Sequence, residues 1–137
     1  MSEFRTERRY PVAPERLFAF VTEPENLLQW WGPEGTTIES HDLNLSRPGP
    51  WSLVFNTPRG PFAMRGKVLS VTPPSLVEFT MNVPGTADDS TVRFEIAPDG
   101  EGSRFTLIQS GISDEMVAMG QHGWVSTLER LARLIGG

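Results

Sequence analysis

Between about Thr36 and Gln109 apolar and polar residues alternate in short runs, and no other feature constrains the fold of this chain as strongly. In 90–97, Val92, Phe94 and Ile96 share one face while Arg93 and Glu95 take the other. In 75–82, Val77, Phe79 and Met81 oppose Glu78 and Thr80; in 61–72, Phe62, Met64, Gly66 and Val68 oppose Arg65 and Lys67. Trp51, Leu53 and Phe55 turn the same way in 51–57, and runs at 36–46 and 103–110 bring the strand segments to six. Their separators are Arg47-Pro48-Gly49-Pro50, Pro58-Arg59-Gly60, Pro73-Pro74, Val83-Pro84-Gly85 through Asp89, and Pro98-Asp99-Gly100-Glu101-Gly102. Proline sets φ and glycine supplies positive φ, so these are turns, and connections this short join antiparallel neighbours in a meander. One face of such a sheet is wet. The other must be covered.

The cover is the C-terminal segment. Ser113-Asp114-Glu115 starts a helix, and Val117, Gly120, Trp124, Leu128, Leu131 and Ile135 follow a helical period up to Gly136-Gly137. About 22 residues at 1.5 Å each span roughly 33 Å, enough to cross six or seven strands. Ahead of the meander, residues 3–10 form a strand with Phe4, Thr6, Arg8 and Tyr10 on one face, ended by Pro11. Ala13-Pro14-Glu15 opens a short helix carrying Leu17, Phe18, Phe20 and Val21. A second starts at Pro24-Glu25 and carries Leu27, Leu28, Trp30 and Trp31 until Gly32-Pro33. The expected fold is α+β: a curved antiparallel sheet of six to seven strands on a long C-terminal helix, in one domain spanning 1–137.

The totals exclude several functions. A net charge of −5 and scattered basic residues argue against nucleic acid. With no cysteine, disulfides, thiolate metal sites and cysteine nucleophiles are ruled out. No run approaches the roughly 18 apolar residues of a membrane span, and Ser2 to Pro11 is too polar for a signal peptide. A soluble cytoplasmic protein is expected. His41 and His122, the two histidines, fit no metal-ligand spacing, and no glycine-rich phosphate loop occurs, so no metal or cofactor is expected.

Five features in order carry a family resemblance: Trp30-Trp31-Gly32-Pro33 after two short helices; Asp42-Leu43 leading to Arg47-Pro48-Gly49 before Trp51; Gly66 through Pro74 running into an aromatic strand; Gln109-Ser110-Gly111; and His122-x-Trp124 followed by Leu128 and Leu131. Together they resemble the START-like (SRPBCC) superfamily over essentially the whole chain. Within it they are most similar to homologues of the activator of the heat-shock-protein-90 ATPase. The resemblance implies a helix-grip fold, with the final helix held by the sheet above an apolar cavity. One departure is Pro50, where the pattern usually has a second glycine. Relatives of this kind include a co-chaperone domain, lipid and hormone carriers, and cyclising or dehydrating enzymes, so the fold leaves the use of the cavity open.

The residues expected to line that cavity are Trp31, Phe55, Met64, Phe79, Met81, Gln109, Met116, Met119, Gly123 and Trp124. Gly120 and Gly123 cost about 1 kcal/mol each relative to alanine inside a helix, which implies either close approach of the sheet or space left open beneath. Gln109 falls in phase with Phe105 and Leu107, so its amide points inward and needs a partner, backbone or ligand. One of Trp30 and Trp31 is core, and the other is placed to form a lip at the cavity mouth. The expected ligand is a hydrophobic or lipid-like small molecule. Burying about 300 Å² of it at about 25 cal/mol per Å² gains about 7 kcal/mol before association entropy, sufficient for a carrier without catalytic groups. The alternatives are a chaperone partner, which needs an exposed patch, and catalysis, which needs His41, His122 or an inward carboxylate such as Glu39 or Glu78 at the wall, although Glu78 faces outward by parity.

Overall fold

The alternating runs pair into one seven-stranded sheet. The computed structural model describes residues 2–32, 35–82 and 90–135, the side chains of Ser2, Met116 and Met119 excepted. The expected turn from Val83 to Asp89, Pro33 and the closing Gly136-Gly137 lie outside the described residues. The elements are β1 (Ser2–Tyr10), α1 (Pro14–Thr22), α2 (Pro24–Leu27), β2 (Thr37–Asp42), β3 (Gly49–Thr57), β4 (Gly60–Thr72), β5 (Leu76–Met81), β6 (Ser90–Asp99), β7 (Gly102–Ile112) and α3 (Asp114–Ile135). Strand order is β1-β7-β6-β5-β4-β3-β2 with every pair antiparallel. β2 to β7 form the expected meander, and the excursion through α1 and α2 lets β1 close on β7.

The inner face of the sheet and the apolar stripe of α3 make the core. Val77, Phe79 and Met81 of β5, Val92, Phe94 and Ile96 of β6, and Phe105 and Leu107 of β7 are buried, as are Trp124, Leu128 and Leu131 of α3. β1 pins the helix at two points. The Tyr10 hydroxyl donates to the Leu128 carbonyl at 3.2 Å, and the Arg8 guanidinium is ion-paired with Glu129. This explains a charge on the apolar side of β1: Arg8 stands where α3 passes overhead.

Three local expectations need correction. The run at 36–46 is strand only as far as Asp42, because Leu43 and Leu45 leave the sheet to be buried and the Leu45 N–H bonds to Thr22 of α1 at 3.0 Å. The second helix ends at Leu27, short of both tryptophans. Trp30 and Trp31 are both core, 0% and 3% exposed, so neither forms a lip. The Trp30 indole N–H is satisfied by the Phe20 carbonyl at 2.8 Å, which removes any reason for it to seek water.

Gly66 shows why β4 carries a glycine on its inner side. A Cβ there would lie 1.8 Å from the Thr80 carbonyl oxygen and 2.7 Å from the Trp51 indole nitrogen. The bare backbone lets Trp51 reach across β4 and donate to Thr80 of β5 at 3.0 Å.

Candidate functional site

Beneath the first half of α3 the inner face is aromatic. Trp31 meets Trp124 with ring centroids 5.7 Å apart, Trp51 at 6.0 Å and Phe79 at 6.1 Å. Phe94 touches Phe79 at 5.2 Å and Trp124 at 6.2 Å. Most of these contacts are edge-to-face or tilted, the arrangement the ring quadrupoles favour. Trp31, Phe79 and Trp124, all expected to line the cavity, therefore form one packed cluster.

Gln109 lies within this apolar surface, 3% exposed, between Phe4 of β1 and Val92 of β6 in the ladder. Its Oε1 accepts from the Trp124 indole N–H at 3.0 Å, and its Nε2 donates to the Ser90 hydroxyl at 2.9 Å. Ser90 in turn donates to the Met81 carbonyl at 3.2 Å. An indole only donates, which fixes the orientation of the amide. The result is a polar relay from α3 through β7 and β6 to β5. The sequence located the inward amide but missed Ser90, since a serine opening a strand reads as turn chemistry.

The other expected lining residues are spread more widely. Met81 and Phe55 are buried, the latter beside Gly32, where a Cβ would come within 2.6 Å of the Phe55 ring at a φ of +98°. Met64 is half-buried and borders an open groove of about 560 Å³ with His41, Leu53 and Val54. The side chains of Met116 and Met119 lie outside the described residues. Gly123 is half-buried, and a Cβ added to it would meet nothing within 4 Å among the described residues. The two glycines of α3 therefore differ: space is open at Gly123, whereas a Cβ at Gly120 would stand 3.2 Å from Gln109 Oε1.

Seven residues beyond Gly123, and so on the same flank of the helix, Arg130 donates Nη1 to the Gly32 carbonyl at 2.8 Å and to the Trp31 carbonyl at 3.4 Å. Partial burial holds its pKa below the ordinary arginine value. Gly123 thus shares its flank of α3 with the arginine that holds the Trp31 and Gly32 carbonyls.

The acid–base candidates do not face this space. His41 is exposed, its Nδ1 accepting from the Leu43 N–H at 3.3 Å. His122 is exposed on α3, in an open dip of about 370 Å³ with Gln121 and Val125. Glu39 is exposed, and Glu78 pairs with Arg93 on the polar face of the sheet. Among the described residues no group of three His, Asp or Glu is placed to hold a metal ion, and no helix is long and apolar enough to cross a membrane.

The model of the family described as Activator of Hsp90 ATPase homolog 1-like protein matches residues 11–136. The chain belongs to this family. An Activator of Hsp90 ATPase homolog 1-like fold also accounts for the structural neighbours. The AHSA1 crystal structure from Silicibacter pomeroyi is 37% identical, with 98% of each chain covered and a TM-score of 0.92. A protein of Nitrosomonas europaea is 26% identical over 98% of this chain and 94% of that one, with a TM-score of 0.83. One from Chromobacterium violaceum, at 24% identity over 98% and 97% of the two chains and a TM-score of 0.85, shares the fold. Among curated proteins, the arylsulfate sulfotransferase AssT of Lelliottia amnigena is 34% identical over 59 residues. That match covers 42% of this chain and 9% of the sulfotransferase.

Proposed function

We propose that this member of the Activator of Hsp90 ATPase homolog 1-like family binds a hydrophobic small molecule between α3 and the inner face of the sheet. The observation that carries the proposal is Gly123: half-buried, in the interior of a helix where glycine is unfavourable, with room for a side chain that the sequence does not supply. Trp124 and Trp31 supply an aromatic wall on that side of the helix, with Met81 and Phe79 on the sheet beneath. The chemistry available is binding rather than bond-making, since the acid–base candidates lie away from the aromatic cluster and Arg130 beside Trp31 donates to backbone carbonyls. Native mass spectrometry of the freshly purified protein tests the reading, with Gly123→Leu as the partner sample. A small molecule retained by the parent and lost from Gly123→Leu is expected. Parent protein at its bare mass, with no uptake of added apolar probes, would overturn it.

Family membership favours a second reading, contact with a chaperone of the heat-shock-protein-90 class. Stimulation of the chaperone ATPase at saturating protein is its test, and absence of stimulation removes it.

A further inference from the structure

The proposed ligand site is apolar except at Gln109, and the arrangement around that amide defines the ligand further. A primary amide has two N–H donors and two acceptor positions on its oxygen. In Gln109, Oε1 accepts from Trp124 and Nε2 donates to Ser90, so one lone pair and one N–H are left on a side chain that is 3% exposed. Gly120 lies directly over the oxygen. A Cβ at that position would approach Oε1 to 3.2 Å and, among the described residues, no other atom within 4 Å, so a side chain there would crowd this oxygen. One helical turn further on is the open position at Gly123. Among the described residues, glycine at 120 thus leaves a buried acceptor free of any side chain from that position.

We propose that the Gln109 amide is the polar anchor of the ligand site, and that the site takes a neutral apolar molecule carrying one hydroxyl group. A hydroxyl can serve either group, donating to the free lone pair of Oε1 or accepting from the remaining N–H. A carboxylate can use the N–H alone and would face a lone pair with its own. The ladder neighbours of Gln109 are Phe4 and Val92, and its hydrogen-bond partners are Ser90 and Trp124, so these described neighbours place no countercharge beside it. Arg130, two turns along the helix, gives its Nη1 hydrogens to the carbonyls of Trp31 and Gly32. Burying a carboxylate there would go uncompensated.

This inference rests on the ligand-binding reading, and calorimetric titration with three probes of one shape separates the two: 4-butylphenol, butylbenzene and 4-butylbenzoate. The phenol is expected to bind about tenfold tighter than butylbenzene, the scale of one buried hydrogen bond, with the benzoate weakest. Gln109→Leu should bring the phenol to the level of butylbenzene. Gly120→Ala, which places a methyl group 3.2 Å from Oε1, should do the same by crowding that oxygen, with thermal melting of the variant run alongside to show that it is folded. Equal binding of phenol and butylbenzene, benzoate binding tightest, or a phenol preference that survives either substitution would overturn the anchor while leaving ligand binding in place. If none of the three binds, both readings fall.

Discussion

The hydrogen bond between Trp124 and Gln109 links α3 to the sheet within an aromatic surface, and its energy can be isolated by a double-mutant cycle. Gln109→Leu leaves the indole N–H buried without an acceptor, at about 1–3 kcal/mol, while Ser90 still donates to the Met81 carbonyl and is not stranded. Trp124→Phe leaves Oε1 without its donor at about the same cost, and trims the edge contacts with Trp31 and Phe94 as well. In the double variant neither polar atom remains to be stranded. The pair is therefore expected to cost less than the sum of the single changes by about 1–2 kcal/mol. Urea unfolding followed by far-ultraviolet circular dichroism measures all four corners without relying on the altered indole. Additivity within about 0.5 kcal/mol would refute the argument, because it would mean that the bond contributes nothing beyond the packing around it.

Three further expectations follow from single positions. Tyr10 is the chain's one tyrosine, and burial raises its pKa above the ordinary 10.0, so folding favours the neutral phenol. Its contribution is complete below pH 10.0 and is lost as pH rises further, so tyrosinate absorbance should appear only together with unfolding; a midpoint near 10.0 in folded protein would contradict this. For Glu129, the hydrogen bond from Arg8 lowers the pKa below 4.5, so the pair stabilises the fold above that pH and ceases to as pH falls through the depressed value. Glu129→Gln should therefore lose stability at neutral pH and converge on the parent in acid, as measured by urea midpoints. Gly66→Ala should cost about 3 kcal/mol or more, since its Cβ meets backbone oxygen, whereas Gly123→Ala should gain about 0.5–1 kcal/mol of helix propensity. Thermal melts that rank the two glycines the other way would refute the reading of both.

Most of the fold is written in periodicity. β5 and the first seven residues of β6 alternate cleanly because one face is buried there, and the stripe on α3 has the matching helical repeat. Alternation fails where burial is not decided by the sheet. Phe62 has inward parity but is 37% exposed, since it lies near the turn end of β4, and Leu43 and Leu45 continue a strand pattern after the strand has ended because α1 buries them instead. The candidate site was legible in its aromatic and methionine content and in the phase of Gln109. Its partners were not, because Ser90 and Trp124 reach the amide across 19 and 15 residues of intervening chain, and nothing local marks either residue for that contact.

The position of β1 has a consequence for how the chain reaches this state. Phe4 pairs with Gln109 and Tyr10 with Ser103, while Arg8 and Tyr10 also hold α3. During synthesis the hairpins from β2 to β7 can each form as soon as their own residues emerge, but the first strand made has no partner until the last strand is finished. Its apolar face stays uncovered through the interval, and Phe4 and Tyr10 are then the groups most open to wrong pairing. Closure is a late event joining β1 to β7, and the slow, non-local step of folding is expected there rather than in the meander.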